Sequence, residues 1–234
     1  MESKGVAPSK ATALRIFAGL WGSYDAVLGY ATLMQDRRWK SWVIGNLGGR
    51  GGATVLDVGC GTCVLEEMLS GDISTIGVDL TDGMIRAGQR KHIPRVTSLL
   101  RSDGERLPFK ASSFDAVVSC YVVKYCSPDL LVSEMARVLK PGGRLVVYDF
   151  ARPRGRLWPL NALYVYGGLR MVGGLLELMG LSVSTTFTEL PGIISRSSWE
   201  EGFRETLVRS GLTPREEKVL SGGVAVGFVA DKRT

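Results

Sequence analysis

Histidine, secretion signals and long apolar runs are scarce or missing in this chain of 234 residues. The single histidine, His92, argues against histidine-based zinc sites and against a Ser-His-Asp triad, and we expect it to be solvated in a basic run. The N-terminus lacks the apolar core of a secretory signal, and no apolar run approaches the roughly 20 residues that a membrane span requires. We therefore expect a cytoplasmic protein.

Cysteine is also sparse, with only Cys60, Cys63, Cys120 and Cys126. A disulfide framework is not expected in a chain without a secretion signal. In principle the four thiols could form a four-cysteine zinc site. We predict no metal site, however, because Cys60 and Cys63 lie inside a glycine loop that suits another ligand. The ends of two neighbouring strands could still bring Cys63 and Cys120 into contact.

The composition is that of a folded basic protein. Hydrophobic residues make up 45% and charged residues 22%, which excludes a largely disordered chain. The length fits one domain with extensions, and the formal charge of +6 suits an anionic membrane surface or nucleic acid equally well. Glycine is abundant, with 30 residues, so turns and close backbone approaches are expected.

Hydrophobic patterning predicts helices near the N-terminus and then an alternation of strands and helices. The predicted strands are 54–58, 74–78, 95–100, 114–119, 144–150, 215–220 and 224–230, and the predicted helices are 14–28, 37–47, 64–69, 81–90, 128–139 and 199–210. Thr81 is the expected N-cap of its helix. The pattern indicates an α/β fold with a doubly wound, mostly parallel, seven-stranded sheet of Rossmann-like type.

The strongest motif is the loop that follows the first strand, with Asp57, Gly59 and Gly61 at alternate positions. A dinucleotide-binding loop would require glycine at position 64, where this chain has valine. Asp57 is unsuited to a pyrophosphate but suits the ammonium and sulfonium groups of S-adenosylmethionine (SAM). Asp79, 18 residues after Gly61, ends the next strand and suits a ribose diol. A glycine turn that only packs a helix on the sheet is the alternative.

Two further segments fit the same ligand. Asp103-Gly104 follows the third strand, where a carboxylate can accept a hydrogen bond from the adenine amino group. Met84 could pack on the adenine side. Either residue also has an ordinary structural explanation, as a solvated turn residue for Asp103 and as core for Met84.

These residues resemble the class I SAM-dependent methyltransferases, and more closely the ubiquinone/menaquinone biosynthesis C-methyltransferase family. The resemblance extends over nearly the whole chain. It rests on Phe17, Tyr24-Asp25, the segments 35–40, 102–109 and 137–144, Asp149 to Pro153, and 220–226. It implies the class I methyltransferase fold, SAM as cofactor and contacts to SAM from Thr62, Asp79, Asp103 and Gly104. The full set of predicted SAM-binding residues is Asp57, Gly59, Cys60, Gly61, Thr62, Asp79, Leu80, Met84, Asp103, Gly104 and Cys120.

The chain departs from the family pattern at three places. Cys63 replaces the third glycine of the loop, so we expect its side chain beside the methionine part of SAM. Lys124-Tyr125 replace Arg-Asn beside the acceptor pocket, and the segment between Pro153 and Trp199 matches only loosely. SAM binding survives these changes, whereas the identity of the methyl acceptor is left open.

The resemblance implies methylation of a ring carbon in a demethylated polyprenyl quinol, with a naphthoquinol favoured over a benzoquinol. The predicted catalytic residues are Lys124, Tyr24, Asp25 and Arg152. Lys124 would stabilise a phenolate or relay its proton, although a surface lysine is an equal alternative. Another lipophilic or phenolic acceptor, a nucleic-acid methyltransferase and a non-catalytic SAM-binding protein remain alternatives. The Asn-Pro-Pro-aromatic motif of amino-methylating DNA enzymes is absent after the fourth strand, so nucleic acid is not the expected partner.

Residues 157–183 are apolar and broken by glycines, with only Arg170 and Glu177 charged between Leu157 and Leu181. Together with Arg152, Arg154 and Arg156, they suggest a helical lid that meets an anionic membrane, with ordinary core helices as the alternative. We divide the single domain into N-terminal helices (1–50), a SAM-binding core (51–150), a lid and acceptor segment (151–200) and a closing helix and strand pair (201–234). A homodimer is one oligomeric state that the sequence allows.

Overall fold

A computed structural model describes residues 10–17, 19–48, 51–153, 158–178 and 184–234 of the protein. Its centre is one seven-stranded sheet in the order β3-β2-β1-β4-β5-β7-β6. The strands are β1 (Ala53–Val58), β2 (Ile73–Asp79), β3 (Val96–Arg101), β4 (Phe114–Cys120), β5 (Leu139–Phe150), β6 (Leu212–Leu220) and β7 (Ala225–Lys232). The first five strands pair in parallel, and β7 runs antiparallel to both of its neighbours. The predicted doubly wound, mostly parallel sheet is confirmed.

Ten α-helices surround this sheet in the described parts of the chain. They are α1 (Lys10–Phe17), α2 (Tyr24–Ala31), α3 (Asp36–Asn46), α4 (Val64–Met68), α5 (Asp82–Arg90), α6 (Pro128–Val138), α7 (Trp158–Ala162), α8 (Leu169–Leu178), α9 (Ser184–Arg196) and α10 (Phe203–Arg209). A π-helical stretch, Leu163–Gly168, joins α7 to α8, and a 3-10 turn covers Val123–Tyr125.

The central strands are covered on both faces, which explains their nearly continuous apolar sequences. Val55, Leu56 and Val58 of β1 are all buried, and so are Val117 and Val118 of β4. Alternate residues of a strand point to opposite faces, so two separate apolar layers are required to bury them. One layer packs beneath α1 to α3 and the helices after β5, and the other packs beneath α6 and α10.

Several predicted element boundaries were wrong. The predicted helix 14–28 is two helices separated by a turn that contains Gly19 and Gly22. The helix predicted from Trp199 begins only at Phe203, since Trp199 lies in a turn and donates its indole N–H to the Phe150 carbonyl at 2.7 Å. Thr81 does precede α5 as predicted, but its hydroxyl makes no capping hydrogen bond.

Residues 158–178 form a continuous helical rod, and α9, which the sequence analysis did not predict, packs beside it. The inner face of the rod is buried through Val165 and Leu169, while Phe187 of α9 is completely buried. The Tyr164 hydroxyl donates a hydrogen bond to the Ala31 carbonyl and so ties the rod to the end of α2. The segment is therefore both a core element and, on its outer side, an exposed one.

Candidate active site

The candidate site lies at the carboxyl edge of the sheet, where the strand order reverses. From β1 the chain continues to β2 and β3 on one side of the sheet, and from β4 it continues to β5 on the other side. The reversal lies between β1 and β4, which are neighbours. Ligands of open α/β sheets bind in the crevice that such a reversal creates. The loop Gly59–Thr62, the end of β2 at Asp79 and the segment after β4 at Tyr121 all meet there.

The glycine loop has a backbone that no other residue type would adopt without strain. Gly59 has a φ of +82°, and a Cβ atom there would lie 2.1 Å from Cγ2 of Val122. The amides of Gly59 and Cys60 both donate to the Val78 carbonyl, at 2.7 and 3.0 Å, which fixes the loop to the end of β2. The expectation that glycine is needed for a sharp turn and a close approach is confirmed at Gly59.

Cys63 takes the place of the third glycine in the loop. It adopts the left-handed conformation with a φ of +64°, and its side chain is completely buried against Cys60 and Ile85. A Cβ atom on Gly88 would lie 2.6 Å from the Cys63 sulfur, so the absence of a side chain at Gly88 makes the space for this thiol. Cys63 therefore packs towards α5 with Cys60 and Ile85, whereas Cys120 belongs to a different apolar cluster, so the Cys63–Cys120 contact that the sequence left possible is not formed. The position of Cys63 beside the methionine part of SAM stays a prediction.

Asp79 is both a loop anchor and a candidate ligand group. Its Oδ2 accepts a hydrogen bond from the Gly61 amide at 3.0 Å, and its Oδ1 accepts one from the Thr81 amide at 2.8 Å. Each carboxylate oxygen can accept a second hydrogen bond, so two sites remain for a pair of ligand hydroxyls. Burial raises the pKa of Asp79, and the backbone amides partly offset this rise by stabilising the charged form.

Asp103 lies in the adjoining cleft, where α1 forms the cover. Its Oδ2 accepts a hydrogen bond from Lys10 Nζ at 2.6 Å, and its Oδ1 accepts one from the Glu105 amide at 2.9 Å. Burial alone would raise the pKa of Asp103, but the Lys10 and amide hydrogen bonds outweigh it and leave the pKa below its ordinary value. Asp103 is thus ionised and can accept further hydrogen bonds beside Gly104. Its contact with Lys10 was not predicted from the sequence.

Asp57 faces the far end of the same crevice. It is 3% exposed, and its Oδ1 has no hydrogen-bond partner among the described residues. An unpaired buried acceptor is costly, so a cationic donor arriving from a ligand would be strongly favoured there. Burial, followed by the neighbouring carboxyl of Glu66, raises the pKa of Asp57 well above its ordinary value.

All eleven predicted SAM-binding residues line three adjoining clefts of this crevice. The first cleft, of about 590 Å³, is lined by Gly59, Asp79, Leu80, Asp103 and Gly104. The second, central cleft is lined by Gly59, Gly61, Asp79, Met84 and Cys120. The third is lined by Asp57, Gly59, Cys60, Gly61, Thr62 and Cys120. Thr62 donates its hydroxyl to Asp25, at 2.5 Å, so that hydroxyl is already engaged.

A fourth, apolar cleft of about 460 Å³ adjoins these three. Its walls come from α1, the following turn, α2, the segment after β4 and Leu190 of α9. Phe17, Tyr24 and Tyr121 line both this cleft and the central cleft at the glycine loop, so they mark the junction. Only Tyr24 of these three aromatic residues was predicted. The 158–178 rod does not line the apolar cleft, and α9 does so instead.

Lys124 lines the apolar cleft but is already paired. Its Nζ donates to Asp149 Oδ1 at 2.7 Å and to the Tyr121 carbonyl at 2.6 Å, and it lies 4.5 Å from the centre of the Tyr125 ring. Lys124 is 2% exposed, so the surface-lysine alternative is wrong. Burial lowers the pKa of Lys124, while Asp149 partly offsets that effect. An ammonium group has three N–H donors, so one is left for another partner.

Two predicted catalytic residues do not lie in the clefts. Asp25 is on the outer side of α2, where it accepts hydrogen bonds from Thr62 and from Lys91 Nζ at 2.8 Å. Arg152 follows β5 at the surface, and its guanidinium group lies 3.5 Å from Glu201. Both side chains are held by oppositely charged or polar neighbours outside the acceptor cleft. Their prediction as acceptor-pocket residues is therefore corrected, while Tyr24 and Lys124 do line that cleft.

A family model described as a methyltransferase domain matches residues 56–147, which contain the glycine loop, Asp79 and Asp103. The chain carries a class I SAM-dependent methyltransferase domain. The matched residues run from β1 to β5 and include all eleven predicted SAM-binding positions, from Asp57 to Cys120.

Several relatives of this chain are named as methyltransferases of quinone biosynthesis. The demethylmenaquinone methyltransferase of Beutenbergia cavernae is 38% identical over 60% of this chain, and the alignment spans 58% of that protein's length. The ubiquinone/menaquinone biosynthesis C-methyltransferase of Geobacter sulfurreducens is 26% identical, over 93% of this chain and 87% of the relative. The methyltransferase domain thus resembles that C-methyltransferase family.

Solved structures share the fold at lower identity. The [4+2]-cyclase SpnF superposes with a TM-score of 0.71 at 18% identity over the full length of both chains. Geranyl diphosphate C-methyltransferase from Streptomyces coelicolor A3(2) gives a TM-score of 0.61 at 16% identity, covering 99% of this chain and 91% of that chain. These likenesses establish the fold only, because one fold supports many reactions.

SAM fits the chemistry of the donor clefts. Asp79 keeps two acceptor sites for ribose hydroxyls, Asp103 can accept from an amino group, and the orphaned oxygen of Asp57 suits an ammonium group. No group of three or more metal-binding side chains occurs in the described ranges, and the four cysteines are free. Within the same ranges, no helix is long and apolar enough to cross a membrane.

Proposed function

We propose that this protein transfers the methyl group of SAM to a ring carbon of a demethylated polyprenyl quinol, with a demethylmenaquinol-like ring favoured. The observation that carries the proposal is the apolar cleft that opens onto the SAM clefts at Phe17, Tyr24 and Tyr121. An aromatic junction can hold a flat ring against the methyl donor and exclude water. The names of these relatives support the same acceptor.

Positioning is the main task of the side chains at the junction. SAM supplies an activated methyl group, so no metal and no protonation of the leaving group are needed. Phe17 packs edge-on against Tyr24 and Tyr125, with ring centroids 6.0 and 5.8 Å apart, which gives the acceptor ring a rigid aromatic wall. The apolar residues further along α1 and α2 accommodate the start of a prenyl chain.

Tyr24 and Lys124 are the proposed polar groups for the acceptor. Burial, followed by nearby carboxylates, raises the pKa of Tyr24 well above its ordinary value, so its hydroxyl stays protonated and can donate to a quinol oxygen. The remaining N–H of Lys124 can donate to an oxygen that becomes negative as the ring carbon turns nucleophilic. Asp149 keeps the ammonium group in place during this change.

We further propose that the outer side of the 158–178 rod contacts an anionic membrane. Its apolar stripe is defined by Leu160, Leu163, Met171, Leu175 and Leu178, which recur at helical spacings and are 59–87% exposed. Arg170 is exposed beside the stripe. The basic flank expected from the sequence is reduced, since Arg152 lies near Glu201 while Arg154 and Arg156 lie outside the described residues.

The end of α2 extends this surface with a basic edge. Leu33 and Met34 are 59% and 68% exposed and are followed by exposed Arg37 and Arg38. Apolar side chains with adjacent cations suit the interface of an anionic bilayer. Ala31 lines the apolar cleft just before this edge, so a lipophilic acceptor entering from a membrane would have a short path.

The membrane proposal predicts a loss of vesicle binding when the stripe becomes charged. Replacing Leu163 and Met171 together by glutamate should weaken co-sedimentation with vesicles of 30% anionic lipid by at least about tenfold, because two buried apolar contacts are lost. The same substitution at Val219, which is 50% exposed on β6, is the control and should leave binding unchanged. Absence of wild-type binding to such vesicles would reject the membrane proposal.

The acceptor proposal is tested by quinone profiling. Cells that lack the protein should accumulate a demethylated quinone, detected by mass spectrometry, and the purified protein should move labelled methyl from SAM onto the reduced form of that quinone. An unchanged quinone profile, together with transfer of the methyl group to another phenol, would contradict the quinol acceptor and indicate a different lipophilic or phenolic substrate. Specific retention of tRNA or DNA in a filter-binding assay would favour a nucleic-acid substrate.

A further inference from the structure

Two buried carboxyl groups lie together beneath the methionine end of the SAM clefts. Asp57 lies next to the last residue of β1 and Glu66 lies on α4, and the two carboxyl groups are close enough for each to shift the pKa of the other. They are 3% and 1% exposed. Asp57 Oδ1 and both oxygens of Glu66 lack a hydrogen-bond partner in the part of the chain that the structure describes.

The cations nearest to this pair are already engaged elsewhere. Lys40 of α3 forms a salt bridge with Asp36, and Lys91 of α5 forms salt bridges with Asp25 and Glu67. Besides these lysines, the titratable groups around the pair are the thiols of Cys60, Cys63 and Cys120 and the hydroxyls of Tyr24 and Tyr121, which line the same cleft as Asp57. A hydrogen bond with Cys63, followed by burial, raises the pKa of Cys60 well above the ordinary value, and burial does the same for Cys120, so neither thiol supplies charge.

Two neighbouring carboxylates in a buried site without a counter-ion repel each other, so the second of them ionises only at a raised pH. Burial raises the pKa of Glu66 to about 7, and the nearby lysines only partly oppose this rise. One proton held between two oxygens removes the repulsion and satisfies otherwise unpaired acceptors. The pair therefore carries close to one negative charge in the absence of a ligand cation.

We propose that Glu66 shares one proton with Asp57 in the SAM-free protein and that binding of the SAM ammonium group to Asp57 releases this proton. The ammonium group replaces the proton as the positive partner, so the pair changes from one negative charge to two while one cation enters and one proton leaves to solvent. Glu66 is then a positioning residue, because it acts on SAM through Asp57. The inference rests on the SAM site and not on the identity of the acceptor.

Calorimetry in buffers of different ionisation enthalpy measures the proton directly. Wild-type protein should release close to one proton per SAM at about pH 6 and almost none above about pH 8, where the pair is already ionised. Over the same interval the affinity for SAM should rise by up to about tenfold per pH unit below pH 7 and then level off.

5′-Methylthioadenosine provides the matched ligand control, because it keeps the adenosine part that faces Asp79 but lacks the ammonium group. Its binding should release no proton at any of these pH values, which separates the titration of Asp57 and Glu66 from that of Asp79. Equal proton release with both ligands would overturn the proposal, and so would the absence of release with SAM at pH 6.

Glu66→Gln supplies the matched variant, since the amide is nearly isosteric and can donate to Asp57 permanently. The variant should release almost no proton with SAM and should bind SAM more weakly than wild type, with a deficit that grows from about pH 6 to about pH 8. Proton release equal to that of wild type would assign the proton to another group. If the variant does not fold, the comparison of the two ligands on wild-type protein still decides.

Discussion

Replacing Asp79 by alanine is expected to reduce the affinity for SAM by at least about a hundredfold. Two charge-assisted hydrogen bonds to ribose hydroxyls would be lost, each contributing about 1.5–3 kcal/mol. The Gly61 amide would also lose the acceptor that now lies 3.0 Å away, so the glycine loop would lose one of its anchors. Isothermal titration calorimetry should find no measurable binding for this variant.

A nearby aspartate provides the control for that measurement. Asp82 begins α5, three residues later, and forms an exposed ion pair with Arg101 outside the clefts. Asp82→Ala should therefore bind SAM as wild type does. Asp79→Asn should retain part of the affinity, because its amide oxygen can still accept a hydrogen bond although the charge is lost. Unchanged affinity in Asp79→Ala would remove Asp79 from the ligand site.

The donor side of the site was predictable because its residues follow consecutive strands. Loops at the carboxyl ends of parallel strands converge, so Gly59, Asp79 and Asp103 could be placed together without a structure. The glycines identified a sharp turn, and Asp57 distinguished a cationic ligand from a pyrophosphate. All eleven residues predicted in this way line the clefts.

The acceptor side could not be predicted in the same way, since it depends on long-range packing. Phe17 and Tyr121 have the same apolar periodicity as core residues, and nothing local shows that they meet at a cleft. Lys10 reaches Asp103 across 93 positions of sequence, and Lys124 reaches Asp149 across 25 positions. Asp25 was predicted in the acceptor pocket from its position in a motif, but a motif position does not show which side of a helix faces the site.

Helix α9 was missed because its sequence contains signals against helix. Pro191 lies inside it, and serine and threonine residues fill its first turn. Burial of Phe187 and Ile193 against the apolar layer compensates for these unfavourable local preferences. Tertiary packing therefore formed the helix that contributes Leu190 to the acceptor cleft.

The buried Lys124–Asp149 pair predicts a large stability effect. Lys124→Met should lower the free energy of unfolding by about 3–5 kcal/mol, because it leaves the carboxylate of Asp149 buried without its cation. Lys124→Arg keeps the charge and should cost far less. Urea denaturation of the variants measures the difference, and a loss below about 1 kcal/mol for Lys124→Met would show that Asp149 needs no cation.

Combining Lys124→Met with Asp149→Asn separates stability from catalysis. The double variant removes both charges, and the asparagine oxygen can keep one of the two hydrogen bonds from the backbone N–H groups of Lys124 and Phe150, which now donate to separate oxygens of Asp149 at 3.1 and 2.7 Å. It should therefore recover part of the stability lost by Lys124→Met alone, and the double-mutant cycle measures this coupling. If Lys124 donates to the acceptor oxygen as proposed, the double variant should bind SAM normally. It should nevertheless transfer the methyl group at least about a hundredfold more slowly than wild type. Recovery of both stability and methyl transfer would instead restrict Lys124 to holding the segment after β4.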